Sequence, residues 1–228
     1  MFIFVQSWSI MPHTLKDFVA RYGYAFVREY CPGTDTIAVA HALGQPLEPW
    51  KGGTVQDLVP RSTSTPNTYS GIYGLYHFPF HTDLAHWRLP PRYLLLRCVA
   101  GYAEIPTLLL DGEAIFGAVT LDILTRAIFK PRRPRYGRVQ LMRLYESRDE
   151  GYCFRWDEVF LQPASRIGDL ASQRLSKQLK KCDPLSIALV RSGDTLVIDN
   201  WRMLHARSSI PAGREDRKIQ RVYLENLH

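Results

Sequence analysis

Beyond Arg92 the sequence is cut into short apolar runs, and no repeating strand–helix rhythm connects them. "RYLLLRCVA" (92–100), "TLLLD" (107–111), "RVQLMRLYE" (138–146) and "GYCFRWD" (151–157) are rich in branched and aromatic residues and are bounded by turn formers. Each has the length of a strand. "SIALVRSGDTLVIDNWRMLHARSS" (186–209) reads as two strands joined at Ser192-Gly193-Asp194, and "RKIQRVYLENL" (217–227) as a final strand. Helical patterns are few. "AIFGAVTLDILTRAIF" (114–129) is one; "ASRIGDLASQRLSKQLKK" (164–181) is another, with Ile167, Leu170, Ala171, Leu175 and Leu179 at helical spacing. Nearer the start, "TLKDFVARYG" (14–23) has Thr14 as N-cap and Gly23 as stop. "YAFVRE" (24–29) then alternates as a strand does, and "TDTIAVAHALG" (34–44) forms a second helix. Many strands without βαβ alternation predict a mainly β protein with flanking helices, built as a double-stranded β-helix (jelly roll, cupin-like).

The length of 228 residues suits one domain, 1–228, with a full core. No apolar run approaches a membrane span. The opening "MFIFVQSWSIMPHTLKD" has neither a basic n-region nor a small-residue cleavage site, so it does not read as a signal peptide. Cys31, Cys98, Cys153 and Cys182 lack CxxC spacing and suggest reduced, mostly buried thiols in the cytoplasm. The net charge of +7 is concentrated in "KPRRPRYGR" (130–138) and "GREDRKIQR" (213–221). No nucleic-acid motif accompanies these stretches, so they read as solvated basic segments. An anionic small molecule or an acidic carrier protein is compatible with the first. Residues 45–70, rich in Pro, Gly, Ser and Thr, form a long irregular segment of the kind that serves function.

The chemistry begins at "FPFHTDLAHW" (78–87). In an extended strand, residues two apart point to one face, so His81 and Asp83 can converge on a metal ion. Alone, the pair is equally a polar patch. A 2-His-1-carboxylate triad, the ligand set of non-haem Fe(II) oxygenases, needs one more histidine. His205, at the end of an apolar run, is the best candidate; His86 is a rival in the turn beyond the strand. Twelve and sixteen residues after His205 come Arg217 and Arg221. A strand over 217–225 would put Arg217, Ile219, Arg221, Tyr223 and Glu225 on one face. Inward-pointing arginines suit a dicarboxylate cosubstrate, because guanidinium forks bind carboxylates bidentately and stay charged when desolvated.

Four segments in order, "FPFHTDLAHWRLPPRYLLLRC", "IPTLLLD", "GDTLVIDNWRMLHARSS" and "RKIQRVYLE", resemble those of the TauD/TfdA family of Fe(II)- and 2-oxoglutarate-dependent dioxygenases. The resemblance runs from about Gly23 to Glu225. It implies that His81, Asp83 and His205 bind Fe(II), with Thr107 and Arg217 at the distal carboxylate of 2-oxoglutarate and Arg221 near the C1 carboxylate. It also implies an oxidoreductase that uses O2 to hydroxylate an unactivated C–H of a small acid or amino acid, releasing succinate and CO2. The same cofactors permit desaturation, cyclisation or epimerisation in natural-product biosynthesis, including on carrier-bound substrates. Family relatives that transfer chlorine have Gly or Ala where Asp83 stands, so no halide requirement is expected. Two departures are visible: "EIPT" lacks the usual Gly-Gly before Thr107, and Ala206 replaces glycine after His205.

A metal-free jelly-roll binding protein, or a cupin-type isomerase or hydrolase, would not need both arginines. Asp199, Asn200 and Trp201 are expected to shape the turn before His205. Tyr73, Tyr76 and Phe80 are expected in core or pocket wall, and Gln56, Asn67, Ser70, Arg155 and Asp157 are candidates to reach substrate. The identity of that substrate and the oligomeric state do not follow from the sequence.

Overall fold

A computed structural model describes residues 12–49, 53–61, 65, 68–134, 137–149 and 151–228. The opening stretch read above for a signal peptide lies largely outside these, as does Asn67. In chain order the elements are α1 (Pro12–Tyr22), β1 (Tyr24–Val27), α2 (Thr36–Leu43), β2 (Gly44–Leu47), β3 (Gln56–Leu58), α3 (Tyr69–Tyr73) and β4 (Phe78–His81). Then come β5 (Tyr93–Ala100), β6 (Thr107–Asp111), α4 (Glu113–Phe116), α5 (Leu121–Arg126), β7 (Ile128–Pro131), β8 (Met142–Arg143) and β9 (Tyr145–Arg148). The chain continues through β10 (Gly151–Phe154), β11 (Leu161–Pro163), α6 (Arg166–Leu179), β12 (Leu185–Ile187), β13 (Thr195–Asp199), β14 (Met203–Arg207) and β15 (Lys218–Leu227).

The protein is mainly β. A larger sheet runs β1-β13-β5-β15-β2, with β3 also paired to β15; a smaller one runs β12-β6-β14-β4. The strand pairings within both are antiparallel. Leu94, Leu96 and Cys98 of β5 and Ile219 and Tyr223 of β15 form one core with Leu109, Ile187 and Met203 of the smaller sheet. Leu95, Val197, Val222 and Leu224 point the other way and are covered by Leu15, Val19, Val39 and Leu43 of α1 and α2. This is the period-two alternation of a strand with helices on its outer face. Residues between β6 and β12 build a third core around Phe129, Phe154, Trp156, Ala171 and Leu175.

Several expectations need correction. Thr14 is inside α1 rather than its cap. The helix expected over 114–129 is broken into α4 and α5 and ends in β7, because Ile128–Pro131 pairs with β8 and β11. Sheet pairing there overrides local helical pattern. Strand structure over 138–146 is confined to β8 and the start of β9, and Val139 and Leu141 are exposed. The 186–209 stretch holds three strands, not a hairpin: β12 joins the smaller sheet, β13 crosses to the larger and β14 returns.

Cys98 and Cys153 are buried, Cys182 is half-buried and Cys31 is exposed, so burial covers only part of the thiol set. Burial pushes both the Cys98 and the Cys153 thiol up to about 11. Alkylation of native protein near pH 8 should therefore mark Cys31 and spare Cys98 and Cys153 until the chain is unfolded. Peptide mapping checks this; labelling of Cys98 at the Cys31 rate would contradict it. Among the described residues, no helix is long and apolar enough to cross a membrane.

Candidate active site

β4 and β14 are neighbours, and His81 and His205 are paired across them. Cross-strand partners project to the same face, and the two imidazole centroids stand 4.3 Å apart. β4 ends at His81, so Asp83 is not on the strand as expected. It sits in the turn that follows, where Leu84 adopts a left-handed φ of 54°. A non-glycine residue pays for that conformation, and here the turn aims Asp83 back at the histidines. Asp83 Oδ1 is 3.4 Å from His81 Nε2 and 3.7 Å from His205 Nε2. One ligand atom from each of the three buried side chains lies within 4.8 Å of the others.

The protonation states suit a metal. His81 Nδ1 is 2.9 Å from Pro79 O; donation of its N–H there leaves the Nε2 lone pair facing Asp83. Burial, reinforced by His81, holds the His205 imidazole below its ordinary pKa and so neutral. Burial by itself would raise the Asp83 carboxyl. The Arg221 guanidinium outweighs burial and keeps it well below the usual range. Arg221 donates to Oδ2 at 2.9 Å and the Tyr223 hydroxyl does so at 3.1 Å, which leaves Oδ1 toward the histidines. Asn200 clamps the same turn. Its Oδ1 accepts from Asp83 N at 2.7 Å, and its Nδ2 donates to Asp83 O and Pro91 O. Two buried imidazoles and one ionised carboxylate converging on one point fit a divalent transition metal with open positions.

A cavity of about 340 Å³ opens from this cluster between the sheets. Thr107, Arg207, Arg217 and Arg221 line it. Thr107 on β6 is the register partner of Arg207 on β14. Arg217, just before β15, is buried, and its Nε has no partner among the described residues. Burial and then the Arg207 charge lower it to about 10, so it is still a cation at neutral pH. The acids on the cavity wall are engaged elsewhere: Asp83 with Arg221, and Asp57 with Lys218 at 2.7 Å.

The remaining candidates separate clearly. Gln56 accepts from Arg221 Nε and Nη2 at 3.0 and 2.7 Å, and Ser70 and Tyr73 line the cavity. Tyr76 is 79% exposed, which removes it from core and pocket wall. Phe80 packs on the third core, and Glu225 is exposed rather than inward. His86 is not among the converging groups. Trp201 Nε1 holds Pro90 O, so it and Asn200 brace the loop after Asp83 rather than only the turn before His205. Arg155 is fully buried and does not reach the cavity. It donates to the carbonyls of Ala85, Trp87 and Arg88 and pairs with Glu146, holding the loop beyond Asp83. Arg155→Leu should destabilise the fold by about 3–5 kcal/mol, since these carbonyls lose a charged donor. Urea denaturation measures this, and a loss under about 1 kcal/mol would remove the bracing role.

Two residues escaped sequence reasoning. Arg207 stands two positions after His205 on the same strand, and that spacing was the available signal. Its guanidinium also holds Gly74 O and Tyr76 O. Tyr69, on the five-residue α3, packs 5.5 Å from the His81 ring and donates its hydroxyl to buried Asp157. A helix that short has no readable period.

No family model matches the sequence. The fold is nonetheless shared with several solved oxygenases. Asparagine oxygenase in complex with Fe(II), 2S,3S-3-hydroxyasparagine and succinate superposes with TM-score 0.72 at 17% identity, over 93% of this chain and 78% of that one. Non-heme iron oxygenase OrfP in complex with Fe and alpha-ketoglutaric acid gives 0.68 at 20%, over 94% and 80%. PvcB from Pseudomonas aeruginosa gives 0.67 at 20%, over 93% and 79%. At these identities the likeness is one of fold.

Proposed function

We propose that the protein is an Fe(II)- and 2-oxoglutarate-dependent oxygenase of the TauD/TfdA type, one jelly-roll domain over residues 1–228. It hydroxylates an unactivated C–H of a small acid or amino acid in the cytoplasm. One observation carries the reading. A buried His–His–Asp cluster shares its cavity with Arg217, a buried cation that pairs with no carboxylate among the described residues. A metal-free binding fold has no use for that combination, whereas a metal-chelating dicarboxylate uses both ends of it. The fold shared with the asparagine oxygenase and OrfP agrees.

In this reading His81, Asp83 and His205 hold the iron, and Thr107 and Arg217 hold the distal carboxylate of 2-oxoglutarate, with Arg207 adding charge beside them. Arg221 and Tyr223 hold Asp83 Oδ2, so that Oδ1 faces the metal and the Arg221 charge stays close to the C1 carboxylate. When bound, iron and 2-oxoglutarate let one atom of O2 enter the substrate C–H bond and the other leave in succinate, with loss of CO2. Burial of the cluster keeps water away from this chemistry. Asp83 would fill the position that a halide would need, so hydroxylation is the expected outcome; desaturation, cyclisation and epimerisation use the same ligands but add no oxygen atom, so product mass tells them from hydroxylation. The test is succinate release from Fe(II), 2-oxoglutarate and O2 with a panel of amino acids, small acids and carrier-bound acyl groups. No 2-oxoglutarate turnover under any condition would overturn the reading.

A further inference from the structure

The cavity at the metal-facing side chains continues along a wall of aromatic rings. Phe78 stands 4.3 Å from the His81 ring, centroid to centroid. Tyr69 meets Phe78 edge-on at 4.8 Å, and Tyr73 lies 5.1 Å from the same ring. Buried Asp157 takes the Tyr69 hydroxyl and so holds this wall in place. The three rings line one cavity with His81, Asp83 and His205, so the wall and the cluster share one space. Leu58, Val59 and Pro60, at the end of β3, add aliphatic surface to it.

Arg61 comes next in the chain and lines the same cavity. Its backbone packs against the end of α3: a Cβ added to Gly74 would lie 3.6 Å from Arg61 O and 3.8 Å from Ser70 O. Gly74 has φ 50° and ψ −119°, a conformation that favours glycine, and Arg207 Nη2 donates to its carbonyl at 3.1 Å. The turn beside Arg61 is therefore tied to the strand that carries His205. The Arg61 side chain is exposed and makes no hydrogen bond or ion pair among the described residues. Both acids on the cavity wall are taken. Arg221 holds Asp83, and Lys218 and Gln220 hold Asp57 at 2.7 and 3.0 Å. 2-Oxoglutarate has two carboxylates; in the reading above one meets the metal and the other meets Arg217 and Arg207. Arg61 is the cation of this cavity left without an anion. Its planar fork matches a carboxylate. The aromatic surface, which runs from His81 to Tyr73 next to Gly74, matches an apolar body.

We propose that Arg61 selects the primary substrate by its carboxylate. The substrate is an acid with an aromatic or apolar body. Its carboxylate sits at Arg61, its body lies on Tyr73, Tyr69 and Phe78, and its reacting carbon faces His81, Asp83 and His205. This rests on the oxygenase reading above and adds the substrate class and the residue that reads it. Cosubstrate and substrate then use different cations of one cavity: buried Arg217 for the first and exposed Arg61 for the second.

The test is calorimetric binding of phenylacetate, 3-phenylpropionate, hexanoate and the corresponding amides to anaerobic Fe(II) protein saturated with 2-oxoglutarate. Acid and amide differ in charge but little in shape. At least one acid should bind about tenfold more tightly than its amide. Arg61→Gln should erase that preference while the 2-oxoglutarate dissociation constant stays within about twofold of native. Arg61→Lys should retain part of it. Tyr73→Ala should weaken acid and amide by the same factor, since both rest one body on that ring. Equal binding of acid and amide overturns the proposal, as does an unaffected Arg61→Gln or Tyr73→Ala variant, or binding of none of the probes. A loss of 2-oxoglutarate affinity in Arg61→Gln as large as in Arg217→Ala overturns it too, because Arg61 would then belong to the cosubstrate. The titrations are repeated without 2-oxoglutarate. If 2-oxoglutarate does not bind the native protein while the acids still depend on Arg61, the oxygenase reading falls and the carboxylate site stands.

Discussion

Asp83→Ala should abolish turnover and weaken Fe(II) binding by about 100-fold or more. Residues that merely orient a metal ligand cost 10–100-fold when removed, and Asp83 supplies the only carboxylate oxygen in the cluster. The variant also strips Arg221 and the Tyr223 hydroxyl of their shared acceptor and leaves that half-buried cation beside two imidazoles without its carboxylate. Fe(II) or Co(II) titration with absorbance readout measures the affinity, and succinate release measures turnover. Product mass with and without chloride tests the halide expectation; a chlorinated product from the native protein would contradict it. The pH dependence has a definite sign. Asp83 is held below its unfolded pKa, so its contribution to stability is full above about pH 4 and is lost as pH falls through the lower folded value. The stability gap between native and Asp83→Ala protein, read from urea melts without metal, should therefore narrow only in strong acid. Native-like metal affinity in the variant would show that Asp83 is not a ligand.

Arg217→Ala should separate cosubstrate binding from folding. The bound dicarboxylate would lose its charged partner in a desolvated site, a loss of about 2–5 kcal/mol, or about 30-fold and more in dissociation constant. Iron affinity should hardly change, because Arg217 touches none of the three metal-facing side chains. Stability should not fall either, since a buried guanidinium whose Nε lacks a partner opposes folding. Anaerobic titration of 2-oxoglutarate into the Fe(II) protein, followed by its charge-transfer band, gives the first quantity, and thermal melting gives the second. An unchanged 2-oxoglutarate constant would end this role for Arg217. A large drop in melting temperature would show that the residue serves the fold instead.

The apolar runs over 92–100, 107–111 and 217–227 were legible because a strand buried on one or both faces must alternate or be wholly apolar, and those patterns survive in the linear text. His81, Asp83, His205, Arg217 and Arg221 could be picked out for a related reason. The metal-ligand and anion-clamp roles proposed for them restrict residue type so tightly that few alternatives fit. What the sequence by itself determined, then, was a mainly β chain and a short inventory of reactive side chains. The tertiary structure decided how they meet. The pairing of β14 with β4 sets His205 directly opposite His81, a match of strands more than a hundred residues apart that no local propensity encodes. The turn at Leu84, and not a continuing strand, points Asp83 inward. The separation of β12 from β13 into different sheets opens the hairpin that their short connection suggests. Tyr69, Arg207 and the Asp157 wall belong to the same class. Their roles depend on neighbours brought from distant parts of the chain, because hydrogen bonds and packing act over a few ångströms of space whatever the separation in sequence.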